Sequence, residues 1–298
     1  MDSYYGEISA LLTALFWTVT AVAFESAGKR VGSLSVNLIR LVIGFLFLSV
    51  YTSVSRGYFL PLDAGFYEWK WLFISGLIGF VLGDLCLFSA YVRIGARVSM
   101  LIMSLAPPVA ALIGYIFLGE IMTIMQIVAM VVIIIGISLV ILKRDRSLEK
   151  KIKFTYPAVG LLLAFIGALG QALGLVLSKY GMNDYDAFSA TQIRVIAGIM
   201  GFSVIFFFIG RWRNVFNAVR NIPALKRITI GAIFGPFLGV SFSLIAIKYT
   251  STGVASSLMA IVPVLIILPS VHIFKERVTV AEIIGAVITV GGVVLFFI

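Results

Sequence analysis

"SMLIMSLAPPVAALIGYIFLGEIMTIMQIVAMVVIIIGISLVIL" (99–142) and "ASSLMAIVPVLIILPSVHIFKERVTVAEIIGAVITVGGVVLFFI" (255–298) carry the fold between them. With a constant offset of 156 residues, Pro107 falls on Pro263, Glu120 on Glu276, Thr123 on Thr279 and Gly136 on Gly292. The match extends upstream, where Gly79 and Gly83 fall on Gly235 and Gly239. An offset of 154 then aligns Gly6 with Gly160, Arg40 with Arg194 and Gly44 with Gly198. The chain is therefore two related halves, 1–142 and 157–298, joined by the basic linker "KRDRSLEKKIKFTY" (143–156).

Both halves are built for lipid. Of 298 residues, 61% are hydrophobic and 12% charged, with a mean hydropathy of +1.12. Soluble domains are about 45–50% apolar and about 25% charged. No polar stretch is long enough to make a separate soluble domain. Ten apolar segments reach the length of about 20 residues that a bilayer crossing needs. They run over 6–27, 34–55, 71–92, 98–118, 123–142, 157–178, 187–209, 228–247, 253–274 and 279–298. Backbone polar groups in lipid must pair within the segment, so these are predicted helices and the fold class is all-α integral membrane. Five helices per half is an odd number, so the second half enters the membrane from the opposite side, an inverted repeat of the kind many secondary transporters use. The 210–227 connection could form a short interfacial helix with Trp212, Val215, Phe216 and Val219 on one face.

Composition also excludes. Cys86 and His272 are each alone, so no disulfide, thiolate cluster or histidine zinc site is expected, and no cofactor. The net charge of +10 comes from short connections, with no basic patch interleaved with stacking aromatics, so no nucleic-acid partner is expected. The start of the chain lacks the basic region and cleavage site of a signal peptide, so the first apolar segment is expected to be retained. Connections after odd-numbered helices hold 17 Lys and Arg, and the other side holds 4. The side rich in Lys and Arg should be cytoplasmic, which puts both termini outside a cell (inner) membrane crossed many times.

"GDLCLFSAYVRIGARVSMLIMSLAPPVAALIGYIFLGEIMT" (83–123) and "YTSTGVASSLMAIVPVLIILPSVHIFKERVTVAEIIGAVITVGGVVLFF" (249–297) resemble the two repeats of the EamA branch of the drug/metabolite transporter superfamily. The resemblance spans essentially the whole chain and rests on A-x-x-P followed by a Glu-Thr-type turn, twice at equal spacing. It implies ten helices in two inverted five-helix units around a central cavity, lined by helices 1, 3, 4, 6, 8 and 9. Helices 5 and 10 would lie at the periphery. It implies both termini inside, against the charge count. Many members export amino acids, metabolites or drugs, and others carry nucleotide sugars or sugar phosphates.

Asp84 lies near the middle of its apolar run, where an ionised carboxylate costs roughly 2.5–3.5 kcal/mol to insert. At helical spacing Phe80, Leu87, Phe88 and Tyr91 share its face, and Gly76, Gly79 and Gly83 form a smooth strip beside it. Asp84 reads as a proton-coupling site, as a counter-charge for a cationic solute, or as a polar pin between helices. Its repeat equivalent is Val240, so the fold itself does not require the charge. Arg40 and Arg194 would sit near opposite membrane faces, as gates or contacts for an anionic solute, unless their stems reach out to the interface. Glu25, just before Lys29 and Arg30, reads as an interfacial charge more than a cavity residue. Trp17 and Gln171, related by the 154 offset, form a pair that either lines the cavity or packs helices. Tyr91 and Ser104 are candidates by position. Pro107, Pro108, Pro263 and Pro269 lie inside predicted helices 4 and 9, where each frees a carbonyl and kinks the helix, as a moving element or a fixed bend. Thr123 with Gln126, and Thr279 with Glu282, fit capping boxes, and Glu120 and Glu276 sit in the turns before them.

The reading is a secondary transporter of a small organic solute, export more than uptake, proton-coupled, working by alternating access as a monomer whose partners are the solute and the bilayer. The alternative is a lipid flippase or a non-transporting scaffold. An enzyme is not expected. "GD" (83–84) and "YD" (185–186) compare poorly with the aspartates of intramembrane proteases, because position 81 is Val and the two pairs run in the reverse order.

Overall fold

The computed structural model describes residues 4–109, 112–113, 123–144, 152–154, 156–250, 255, 258–275 and 278–295. The first half holds α1 (Tyr5–Val31), α2 (Ser33–Arg56), α3 (Phe66–Gly76), a π-helical stretch π1 (Leu77–Gly83), α4 (Asp84–Met103) and α5 (Ile124–Ile141). Two short antiparallel strands, β1 (Leu142–Arg144) and β2 (Ile152–Phe154), form the arms of the linker. The second half holds α6 (Ala158–Met182), α7 (Ala187–Ile209), α8 (Trp212–Arg220), α9 (Ile222–Ala232) and π2 (Ile233–Phe237). It continues with α10 (Leu238–Tyr249), α11 (Val262–Leu265), α12 (Ile267–Phe274) and α13 (Val280–Leu295).

Six described helices are long and apolar enough to cross a membrane, and three shorter apolar helices accompany them. Their outward faces carry bare apolar side chains such as Val54, Phe207 and Phe208, each at least three-quarters exposed. In water that surface would be a liability, and in lipid it is the solvated face. The protein is an all-helical, multi-pass membrane protein apart from the linker strands. Helices α1 and α2 begin and end within a few residues of their predicted bounds. The predicted loop 56–70 shortens to 57–65, because "FYEWKW" (66–71) already winds into α3.

The two halves grip each other through glycine. A Cβ on Gly170 would lie 2.7 Å from the Cα of Gly83, and one on Gly174 would lie 3.0 Å from the Cα of Gly79. Without side chains in that seam, α6 and π1 pack backbone to backbone. Ser75 Oγ donates across it to the Gly174 carbonyl at 2.7 Å. Helices α5 and α13 pack on each other away from this seam, with a Cβ on Gly136 only 2.4 Å from Thr289 Oγ1. A separate apolar cluster that includes Ile133, Ile137 and Val293 holds them.

Several local expectations change. Helix α4 breaks at Gly95, whose φ of 81° favours glycine. Pro107, Pro108, Pro263 and Pro269 do not kink continuous helices. The chain makes tight turns at 104–105 and 260–261, ahead of the helical pieces that open with Pro107, Pro108 and Pro263, and a further break at Ile266 comes before α12, where Pro269 is the third residue. There a missing N–H costs nothing. The two turns occupy repeat-equivalent positions, as the kinks were expected to. The amphipathic helix after residue 210 exists as α8, but it buries Val215 and Ala218 and leaves Phe216 and Val219 exposed. The Thr279 capping box forms, with Glu282 Oε2 accepting from Thr279 N at 2.7 Å and Thr279 Oγ1 accepting from Glu282 N at 3.3 Å. The Gln126 side chain, Glu120 and Glu276 lie outside the described residues.

At the end of the bundle near Gly57, Arg56 pairs with Asp63, and the Tyr185 hydroxyl donates to the other Asp63 oxygen at 2.9 Å. Burial pushes the Tyr185 phenol up to about 12, so it remains a donor throughout the physiological range.

Candidate functional site

The carboxylate of Asp84, 5% exposed, is the centre of a polar cluster built from both halves. Asp84 is the first residue of α4, immediately after π1. One oxygen, Oδ2, accepts from the Arg40 guanidinium on α2. The other, Oδ1, accepts from the Gln171 side-chain amide on α6 at 2.6 Å. Gln171 also donates to the Gly79 carbonyl in π1 at 3.2 Å. Asn37, one turn before Arg40, donates to the Asp84 carbonyl and accepts from Arg40 Nε, both at 3.2 Å.

Aromatic rings complete the surroundings. Arg40 lies 4.5 Å from the ring centroid of Phe88 and 5.5 Å from those of Phe24 and Phe80. Arg194 on α7 lies 4.9 Å from the other ring partner they share, Phe80. Two guanidinium groups thus meet at one phenylalanine beside one carboxylate. A cation over a ring face gains more as it is desolvated, and both guanidinium groups belong to residues only 3% exposed.

The expected gate arrangement is therefore corrected. Arg40 and Arg194, each 3% exposed, do not mark opposite faces or reach the interface, because their long stems run inward to the same ring. Glu25 is corrected as well. It is fully buried, pairs with Lys29, and accepts the Ala96 backbone N–H at 2.7 Å. Ala96 restarts the helix after the Gly95 break, and a helix start leaves N–H groups that need an acceptor. A carboxylate meets that need and suits the positive end of the helix dipole.

The cluster borders a cavity with two adjoining lobes. The lobe that holds Asp84, called the inner lobe for that reason, is also lined by Arg40, Phe80, Tyr91 and Thr20. The other, called the outer lobe, is lined by Arg194, Ser104, Pro107, Pro263 and Met259. Trp17, Gln171, Met100, Met103 and Val240 line both. The described lining, mostly apolar with a few converging polar groups, is of the kind that binds small organic molecules. The structure therefore brings Trp17, Arg40, Asp84, Tyr91, Ser104, Gln171 and Arg194 to one cavity, with Pro107 and Pro263 in its wall, and leaves Glu25 beside the Gly95 break. The Tyr91 hydroxyl points to Met100 Sδ at 3.1 Å. Pro269 and Pro108 are not among the described lining residues.

Sequence reasoning missed Asn37, Met100 and Met103. Asn37 precedes Arg40 by three residues, which on a helix places them on one face. That spacing was available as a signal. The methionines carried none, since Met fills apolar gaps anywhere.

A multi-pass membrane protein made of two repeats, with a polar cluster from both halves beside a cavity, belongs to the transporter class. The EamA-like transporter family model matches the chain twice, over residues 4–142 and 158–298. The chain belongs to the EamA-like transporter family, a family of membrane transporters rather than enzymes. A solved structure titled "Crystal structure of protein" is similar in fold, with a TM-score of 0.63 and 17% identity. The match covers 97% of this chain and 95% of that one. Comparison with functionally curated proteins gives no match.

Proposed function

We propose that the protein is a secondary transporter that moves a small organic solute by alternating access through the cavity between its repeats. In this reading ten crossings form two inverted five-helix units, and the transporter works as a monomer, exporting its solute with proton coupling. One observation carries the reading. The Asp84 carboxylate accepts from Arg40 in the first half and Gln171 in the second, so its charge ties the halves together at the cavity wall. A proton arriving on Asp84 would remove the negative charge that strengthens both bonds and change how tightly the halves hold each other. Charge-assisted bonds of this type are worth about 1.5–3 kcal/mol each, enough to bias a two-state equilibrium.

The test is solute uptake into liposomes containing the purified protein, with and without a proton gradient. Wild-type uptake should accelerate with the gradient. Asp84→Asn should lose that acceleration while still exchanging labelled for unlabelled solute. Equal acceleration in the variant would end the coupling role, and failure of the wild type to move any solute would end the transport reading.

In the same reading the Lys and Arg asymmetry sets orientation, with 17 such residues on the cytoplasmic side against 4. A cysteine replacing Tyr4, with Cys86→Ser as background, should react with an impermeant thiol reagent added outside intact cells. Reaction only after lysis would reverse the orientation.

A further inference from the structure

We propose that the outer lobe binds an amphipathic organic monoanion, its acid group on Arg194 and Ser104 and its apolar body among the methionines, prolines and Trp17. The proposal rests on the transporter reading for its physiological meaning, but the binding chemistry stands on its own.

Charge balance comes first. The cluster contains two guanidinium groups and one carboxylate. Both Asp84 oxygens are engaged, Oδ2 by Arg40 and Oδ1 by Gln171. Arg40 is further held by Asn37. Arg194 is different. It is 3% exposed, and among the described residues its Nε is buried with no hydrogen-bond partner. Its described contacts are the face of Phe80 and the field of Asp84, with no direct bond to that carboxylate. A guanidinium carries five N–H donors in a fixed fork suited to a carboxylate. Burying such a group without acceptors is costly, and a bound acid would supply them. The other acidic groups nearby are occupied elsewhere. Glu25 holds Lys29 and the Ala96 N–H, and the Tyr91 hydroxyl faces Met100.

A second polar group points the same way. Ser104 lines the lobe with Arg194, is 2% exposed, and its Oγ also lacks a partner among the described residues. It lies in the tight turn at the start of the Pro107 segment. Apart from Gln171, which is engaged by Asp84, and Ser243, the rest of the described wall is apolar and adaptable, with Met100, Met103 and Met259 beside Trp17 and two prolines. Thioethers accommodate varied shapes.

The chemistry sorts solutes. A cationic amine would meet Arg194 with no free carboxylate to offset it. A zwitterion would have its acid end served and its ammonium end unpaired. A dianionic phosphate would bring more charge than one free guanidinium balances. A monocarboxylate with an aromatic or branched body fits on all counts.

The test uses four probes that share one ring and chain: phenylpropanoate, phenylpropanamide, phenylpropylamine and phenylalanine. Binding to the purified full-length protein in nanodiscs is measured by calorimetry, with empty nanodiscs as the blank. Phenylpropanoate should bind at least about tenfold more tightly than each of the other three, the scale of one charge-assisted contact. Arg194→Gln should erase the preference of acid over amide, and Arg194→Lys should retain part of it. Both variants are compared only as monodisperse protein. Because the wild-type acid-to-amide ratio alone can refute the idea, poor folding of a variant does not protect it. Equal or tighter binding of the amine or of phenylalanine overturns the inference, as does the absence of acid binding at millimolar concentration. So does an acid preference that survives Arg194→Gln. Exchange of the same probes in liposomes separates the two claims. Acid binding without exchange would leave this site standing and remove the transport reading, whereas exchange of the amine but not the acid would do the opposite.

Discussion

Arg40→Met should destabilise the protein by about 3–5 kcal/mol, the usual cost of removing one partner from a buried ion pair. The variant leaves the Asp84 carboxyl in a pocket of rings with the Gln171 amide and the field of Arg194, so it must carry its charge at a cost or take up a proton. It also strips a cation from the faces of Phe24, Phe80 and Phe88. Adding Asp84→Val should recover most of the loss, because Val is what the repeat-equivalent position 240 carries, the surrounding rings are apolar, and Gln171 keeps its bond to the Gly79 carbonyl. Reversible unfolding in mixed micelles, run as a double-mutant cycle, measures both steps. If Arg40→Met alone lay within about 0.5 kcal/mol of wild type, the range of ordinary surface changes, the ion pair would not be the anchor described above.

Gly170→Val should be nearly as severe, at about 3 kcal/mol, and should abolish transport. Its first new atom would lie 2.7 Å from the Gly83 Cα, 3.0 Å from the Gly83 nitrogen and 3.2 Å from the Ile78 carbonyl oxygen. All three are backbone atoms, so no side chain can swing aside and the helices must part. Overpacking typically costs about 1–3 kcal/mol, and backbone obstacles put this site at the upper end. Parting them also stretches the bond from the next residue, Gln171, to Asp84. Gly291, where an added Cβ meets nothing within 4 Å among the described residues, is the control, and Gly291→Ala should cause no loss. Thermal unfolding in detergent distinguishes the two. A Gly170→Val protein as stable as the control would mean that the seam is looser than its glycines indicate.

The seam was visible in the sequence because small residues at helical spacing leave a periodic mark. Gly76, Gly79 and Gly83 are one example, and the cluster Gly167, Gly170 and Gly174 is the other. Asp84 was visible because its insertion cost is local and needs no knowledge of neighbours. Its partners were not. Arg40 and Arg194 lie in different halves, and only tertiary packing bends both stems toward Phe80. An Arg stem spans several helical positions, so chain position bounds its head group poorly. Glu25 was misread for a related reason. Its neighbours Lys29 and Arg30 suggested a membrane surface, whereas the demand for its carboxylate comes from the Ala96 N–H, on another helix. The proline breaks were placed correctly but pictured as bends, since the residue type marks a missing donor and not whether the chain turns or merely tilts.

The π-helical stretches π1 and π2 add a different kind of consequence. They begin at repeat-equivalent residues, Leu77 and Ile233, and each precedes the position that faces the cavity, Asp84 or Val240. A π turn takes in one residue more than an α turn, which advances everything after it by about 100° around the axis. The chain before each stretch and the chain after it are therefore in different rotational phase. The helix after π1 still packs on α6, with Gly167 against Leu87, while Asp84 lines the cavity. The protein thus owns two matched sockets, set by the same backbone device, and has wired only one of them with charge. At this indexed position the halves differ by one side chain, Asp84 against Val240, so the charge of one socket can be rewritten without disturbing the frame that aims it.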